Sequence, residues 1–340
     1  MVVYLGTGGV GKTSVAAATG VAQARSGLRS LVLTIDPALR LRSALRLRPG
    51  LLEQPVDLDP EPAGELWAAL LDVRATLDEA VKLYAPEALV KPILTHPIYS
   101  TIADSLVGMQ ELMAVERIDQ LSRRGFSNIV IDTAPSRHAL EFLDKPMFFA
   151  DLAGSNLVRM VGRTYKFVAR SGLASFGRRT VDFYKRVEGI LGADMVRQIL
   201  DFYSLFVSIA EGYADRAEKT VGLLKDPDVT EFRIVTTPQK ALRDARYFVN
   251  ALEQRRFHVG ALYINRVWNL QAAEPASSSG LRDELLGWYS AVRNSHTQAI
   301  EQVRSEFHSR IPLIGTLPEL ERDIDGLPAL EKIAPLLAPR

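Results

Sequence analysis

Gly6-Thr7-Gly8-Gly9-Val10-Gly11-Lys12-Thr13 is the stretch whose reading decides the fold. The apolar run Val2-Val3-Tyr4-Leu5 leads into it, and an Ala-rich helical pattern runs from Thr13 to about Arg25. The glycines therefore fall in a strand-to-helix turn, the context a phosphate-binding loop needs. Glycines let successive backbone N–H groups converge on phosphate oxygens without Cβ clashes, and the helix N-terminus adds a favourable dipole. In this reading Gly8, Gly9, Val10, Gly11, Lys12, Thr13 and Ser14 hold ATP, with Lys12 at the β- and γ-phosphates and the Thr13 hydroxyl on Mg²⁺. The same residues contain Gly6-x-Gly8-x-x-Gly11, a dinucleotide fingerprint, and an acid, Asp36, ends the next apolar run. Lys12-Thr13 decides against that rival. A dinucleotide site has no use for a Lys-Thr pair at the helix start, whereas triphosphate chemistry needs a cation and a metal ligand there.

Working outward, 340 residues of which 47% are hydrophobic can bury a large core, as one big domain or a domain plus a subdomain. The formal charge of +1 argues against nucleic-acid binding by the whole surface. No apolar run approaches the roughly twenty residues of a membrane span, and the N-terminus reads as strand and loop rather than signal peptide. A cytoplasmic protein is expected. With no cysteine in the chain, disulfides and thiolate metal sites are excluded. His96, His138, His258, His296 and His308 show no metal-ligand spacing and read as surface or packing residues.

Ser30 to Ile35 is a continuous apolar strand of the kind buried in a parallel sheet, and it ends in Asp36-Pro37-Ala38. Asp36 has two readings there: it positions the attacking water, or it N-caps the next helix with Pro37 at the first helical position. Residues 48 to 64 read as loop, Glu65 to Leu71 as a third strand, and Val73 to Tyr84 as a helix. A Pro-containing segment, 86 to 97, and a helix from about Met109 to Arg123 lead to Ile129-Val130-Ile131-Asp132. An apolar run closing on an aspartate has the form of a Walker B strand, in which Asp132 holds the Mg²⁺ shell with Thr13.

The residues from Asp132 to Leu143, Asp-Thr-Ala-Pro-Ser-Arg-His-Ala-Leu-Glu-Phe-Leu, resemble the switch II signature of the ArsA-like ATPases. That family includes the arsenite-pump ATPase and the ATPase that delivers tail-anchored membrane proteins. Asp36-Pro37-Ala38 resembles the family's switch I, which implies that Asp36 orients the hydrolytic water. Arg233 to Pro238, the helix through Arg243 and Arg246, and Gly260 to Val267 are similar to its late strands, and Asn265 matches the residue that contacts adenine. Leu317-Pro318 through Leu327 resembles the adenine loop, which adds Pro318 to the implied site. The resemblance implies ATP and Mg²⁺ as ligands, Asp36, Lys12 and Asp132 as the catalytic set, and a nucleotide-gated dimer.

Two departures from the family pattern matter. Relatives carry a lysine at the second loop position that reaches a dimer partner's nucleotide; this chain has Thr7. A trans cation on a transferring phosphoryl is worth roughly a thousandfold or more in rate. Hydrolysis is then slow, another chain supplies the cation, or another residue substitutes, with Arg137 the candidate and a local pairing its alternative. Second, without cysteine neither the metalloid chemistry of the pump nor the zinc clamp of the targeting ATPase is available.

Between switch II and the strand at Phe232, about ninety residues read as an inserted helical subdomain. Ile199, Phe202, Tyr203, Phe206, Ala210 and Tyr213 follow helical spacing and form the inner face of a packed helix or an exposed groove. The cations between Arg159 and Arg186 face one acid, Asp182, and read as a solvated face or as a contact for an anionic membrane or acidic partner. Gln271 to Gly280 reads as loop, followed by a helix from about Leu281 to Ser309, the strand Pro312 to Thr316 and a terminal helix after Gly326.

The expected architecture is an α/β doubly wound, mostly parallel seven- or eight-stranded sheet: P-loop core 1–143, helical insert 144–230, and core again 231–340. The expected function is a Mg²⁺-dependent ATPase acting as a homodimeric or heterodimeric switch on a protein or membrane client. A MinD- or ParA-like positioning ATPase, an anion-pump motor without its thiolates, and a slow partner of a lysine-bearing homologue are the alternatives.

Overall fold

Strand β1 (Val2–Leu5) lies at the middle of one eight-stranded sheet and is buried along its whole length. The structure is a computed structural model that describes residues 1–36, 40–104, 109–134, 140, 193–268, 280–320 and 326–337. In chain order the elements after β1 are α1 (Lys12–Arg25), β2 (Arg29–Thr34), α2 (Arg40–Ala44), β3 (Glu53–Pro55), β4 (Glu65–Leu70) and α3 (Val73–Tyr84). Helices α4 (Glu87–Leu94), α5 (Pro97–Asp104) and α6 (Met109–Ser122) precede β5 (Asn128–Asp132). Then come α7 (Ala193–Lys225), β6 (Glu231–Thr236), α8 (Ala241–Gln254), β7 (Val259–Val267), α9 (Gly280–Phe307), β8 (Leu313–Pro318) and α10 (Leu327–Ile333).

The sheet order is β3-β4-β2-β5-β1-β6-β7-β8, parallel except for β3 against β4. The mostly parallel α/β sheet of seven or eight strands expected from the sequence is thus found, with eight. Its inner strands are apolar on both faces, so helices must cover both. Val3, Leu5, Leu31, Leu33, Ile129 and Ile131 are all buried. Helix α1 packs its alanines against β2 and β5, and α8 packs on β6 and β7. The order has one consequence for function. Strands β2, β5 and β1 are neighbours, with Thr34 and Tyr4 both in register with Asp132, so the chain ends at Asp36, Asp132 and Gly6 emerge at one sheet edge.

Two segments differ from expectation. Residues 48–64 contain β3, a three-residue edge strand paired antiparallel to β4. Its Glu-Gln-Pro sequence carries no strand signal, and an edge position is where proline is tolerated. The segment 86–97 holds α4 and the start of α5. Pro92 lies inside α4 and forgoes one helical hydrogen bond, a loss that contact with α3 and α5 offsets.

By internal contacts the chain forms two compact units. The first is Met1–Leu71, Ser122–Ala139 and Gly222–Arg340, which contains the sheet; the second is Asp72–Leu121 with Leu140–Val221. Within the second unit the buried Glu116 accepts from the Arg216 guanidinium at 3.2 and 3.3 Å, and that guanidinium lies 3.4 Å from the Tyr84 ring centroid. Burial pushes the Glu116 carboxyl above its ordinary range even with the cation beside it. Phe202 is buried against His96 and Tyr99, and the Tyr213 hydroxyl donates to Leu112 O, so these two members of the apolar spacing on α7 face the interior. The basic run 159–186, Arg137 and most of the switch II signature lie outside the described residues.

Two glycines predict opposite outcomes. Gly222, in an exposed turn of α7, has nothing within 4 Å of an added β-carbon, so Gly222→Ala should stabilise by about 0.5–1 kcal/mol through helix propensity. A β-carbon on Gly20 in α1 would collide with Val32 Cγ2 and sit 3.0 Å from Leu66 Cδ1. Overpacking of about 1–3 kcal/mol outweighs the same propensity gain there, so Gly20→Ala should lower the denaturation midpoint. Urea titration of both variants checks the signs.

Candidate functional site

The loop between β1 and α1 is held open by backbone geometry that only glycine takes without strain. Gly9 and Gly11 have φ of 79° and 86°, in the left-handed region. A β-carbon on Gly11 would also strike Asn265 Nδ2, which donates to Val10 O at 2.8 Å. Asn265, near the end of β7, thereby clamps the loop's crest from the neighbouring strands.

Lys12 opens α1 and is nearly buried, with its ammonium donating to Asp132 Oδ1 at 3.2 Å and to Thr133 O. Asp132 is fully buried at the end of β5. An isolated carboxylate there would be costly, and two side-chain contacts share the compensation. Beyond Lys12, the Thr34 hydroxyl donates to Asp132 Oδ2 at 3.1 Å, and the same hydroxyl accepts the backbone N–H of Asp36 at 3.2 Å. The backbone adds Ile35 N–H to Asp132 O at 2.8 Å. A continuous polar line therefore runs from Lys12 through Asp132 and Thr34 to Asp36, whose residue is 6% exposed. Thr133 anchors the line to the centre of the sheet, its hydroxyl donating to Tyr4 O at 2.7 Å.

Above the loop is a cavity of about 510 Å³. Gly9 through Ser14 line it, together with Asn265 and Pro318. Arg40 and Ser43 of α2, Arg266 and Glu319 line it too and escaped the sequence reading. Arg266 carried a local signal, since it follows Asn265 at the end of a strand; its φ of 61° makes it one of three described non-glycine residues in the left-handed region. Gly8 faces a second cavity of about 420 Å³ that shares Gly9, Arg266 and Glu319 with the first. Asp36 and Asp132 border neither cavity and reach the loop through Lys12.

His296 on α9 is buried, its ring nitrogens against Gln239 Nε2 and the Trp268 N–H, each at 3.2 Å, and burial lowers its pKa. It braces the rim of the second cavity, where Trp268 sits. No group of three or more His, Cys, Asp or Glu among the described residues is arranged to hold a metal. The hydroxyl of Thr13 and the carboxylate of Asp132 are hard oxygen donors of the kind Mg²⁺ takes alongside substrate phosphates and water, so the residues fit that ion.

A glycine loop feeding a helix whose first lysine is bonded to the aspartate of a neighbouring parallel strand defines a P-loop nucleoside triphosphatase. Residues 1–339 match the anion-transporting ATPase family, ArsA_ATPase, and the chain belongs to that family of ATPases. It is similar to ATPase GET3B of Arabidopsis thaliana, 25% identical over 350 residues covering 98% of this chain and 77% of that one. ATPase ARSA2 of Chlamydomonas reinhardtii is 27% identical over 339 residues, 97% of this chain and 81% of its own. ATPase ASNA1 homolog 1 of Paramecium tetraurelia is 24% identical over 267 residues, 77% and 73% of the two chains. The resemblance read from Asp132 to Leu143 and the late strands is borne out at the level of the family.

Thr34 is the link that sequence reasoning missed. Thr34→Val keeps the shape and removes the hydroxyl that joins Asp36 to Asp132, leaving a buried carboxylate oxygen without its donor. Loss of about 1–3 kcal/mol of stability is expected, with a fall in kcat of about tenfold or more and a smaller change in KM. Thermal unfolding and steady-state phosphate release on the same preparation separate the two effects.

Proposed function

We propose that this ATPase is a Mg²⁺-dependent, nucleotide-gated switch that works as a homodimer or with a related ATPase and acts on a protein or membrane client. The observation that carries the reading is the polar line from Lys12 to Asp36. Whatever draws the Lys12 ammonium toward a phosphate changes its bond with Asp132, and Thr34 passes that change to Asp36. The site therefore has the connectivity to register a terminal phosphoryl at two strand ends.

In this proposal Gly8, Gly9, Val10, Gly11 and Ser14 cradle phosphates through backbone and hydroxyl groups, and Lys12 neutralises developing charge. Asp36 positions water. Thr13 and Asp132 would hold the magnesium ion, which when bound supplies charge neutralisation on the phosphates. Asn265 and Pro318 border the base, and Arg40 and Ser43 line the same cavity.

The P-loop core of 1–143 and 231–340 hydrolyses, and the helical part around 144–230 engages the client. The resemblance of Asp132 to Leu143 to the switch II signature of a family that includes a targeting ATPase supports a partner-handling role for a chain of this kind. Among the described residues no helix is long and apolar enough to cross a membrane. A cytoplasmic protein that touches a membrane peripherally agrees with that.

The test is size-exclusion chromatography with light scattering in ADP, ATP and a non-hydrolysable analogue, alongside phosphate release. ATP and the analogue should give a dimer that ADP does not, and EDTA should abolish turnover. Lys12→Ala should lower kcat/KM by about a hundredfold or more. A protein that hydrolyses ATP as a monomer in every nucleotide state sinks the gated dimer and leaves the ATPase standing.

A further inference from the structure

Loop position 7 carries a neutral hydroxyl, and that hydroxyl is committed elsewhere. Thr7 Oγ1 donates to Asp244 Oδ2 at 2.8 Å, in the first turn of α8. Asp244 is 1% exposed; its Oδ2 also accepts from Thr236 Oγ1 at 3.2 Å, and the Arg243 guanidinium lies 3.6 Å from Oδ1. The first turns of α8 are thereby fixed to the phosphate loop.

The same helix brings a cation to that loop. Lys240, the N-cap residue of α8, places Nζ 3.5 Å from Gly8 O, the sole hydrogen bond of that ammonium among the described residues. At that length the contact is at its geometric limit, so the ammonium is loosely held at the rim. Lys240 lines the second cavity with Gly8, Gly9 and Arg266, and Gly9 and Arg266 continue into the first cavity beside Lys12. The glycine turn thus has Lys12 on one side and Lys240 on the other.

Charge separates Lys240 from Lys12 and Arg266, while Arg40 of α2 lines the first cavity and not the second, where Gly8 and Lys240 meet. Lys12 sits 3.2 Å from Asp132, so that pair brings little net positive charge to the loop. Arg266 has Glu319 4.0 Å away, and Glu319 lines both cavities. No described carboxylate lies within ion-pair distance of the Lys240 ammonium. We infer that Lys240 is a second phosphate-binding residue, supplied by the same chain, whose ammonium contacts the terminal phosphoryl oxygens of ATP. It takes over the electrostatic task that the neutral Thr7 leaves undone, and Thr7 with Asp244 sets its position. A fixed cation at a transferring phosphoryl stabilises the charge that develops there. The inference rests on the proposed ATP site.

The test compares wild type, Lys240→Ala, Lys240→Arg and Lys12→Ala by calorimetric titration with ATP and with ADP, alongside turnover. Lys240→Ala should weaken ATP about tenfold while leaving ADP unchanged, because the contact is to the terminal phosphoryl, and kcat should fall about a hundredfold. Lys240→Arg should recover most of both. Wild-type turnover and an unchanged ATP-to-ADP affinity ratio in Lys240→Ala overturn the assignment, as does an equal loss for both nucleotides, which marks a structural role. Mixing Lys240→Ala with Lys12→Ala should restore no activity, since neither chain then owns both cations; restoration would place Lys240 on a partner's nucleotide and overturn the same-chain claim. Wild-type protein that binds no ATP defeats the ATP site itself, whereas binding lost in Lys12→Ala and intact in Lys240→Ala defeats this inference alone.

Discussion

The contact between the Lys12 ammonium and the Asp132 carboxylate governs the architecture around it. Both groups lie almost entirely out of water, where either one alone would cost several kcal/mol, so each needs the other and its remaining hydrogen bonds. Meeting that need dictates the strand order. Lys12 begins the helix after β1, Asp132 ends β5, and only adjacency of those two strands brings the groups within reach. Thr34 can then add its hydroxyl only because β2 flanks β5 on the other side. Three strand ends are locked by one buried pair, which is a strong constraint on register as well as on chemistry.

The loop is restrained from the other half of the sheet as well. Asn265 of β7 holds Val10 O, Asp244 of α8 holds Thr7, and Lys240 approaches Gly8 O. These contacts come from elements more than two hundred residues away in sequence, and they fix the backbone that must present its N–H groups to phosphate. Preorganisation of this kind matters because donors already in place need no reorganisation when charge develops. A glycine loop without such bracing would lose much of that advantage to its own conformational entropy.

Much of this was legible in the residues. The loop, the apolar runs ending at Asp36 and Asp132, and the late strands with Asn265 mark the sheet and the family, because glycine geometry and buried parallel strands leave strong local patterns. What escaped was of two kinds. Strand β3 and helix α4 form against local propensity, since an edge ladder for Glu53–Pro55 and packing on α3 and α5 around Pro92 come from tertiary contacts. Thr34, Asp244, Lys240 and Arg266 are ordinary residues in their own segments. Their place at the loop arises only when β6 and β7 on one side of β1 and β5 and β2 on the other are set in one sheet, and no spacing in the chain records that.

Thr133 shows how chemistry at the loop is tied to the chain beyond it. Its carbonyl accepts from Lys12 and its hydroxyl donates to Tyr4 O, so the residue directly after Asp132 is pinned on both sides. Seven residues on, Leu140 is buried and belongs to the second unit. In the proposed switch, a phosphate that competes with Asp132 and Thr133 for the Lys12 ammonium weakens one of those pins. In that proposal the sensing step begins at Lys12 and reaches Asp36 through Thr34. Lys12 alone bonds both the carboxylate that leads back through Thr34 to β2 and the carbonyl that leads forward along the chain.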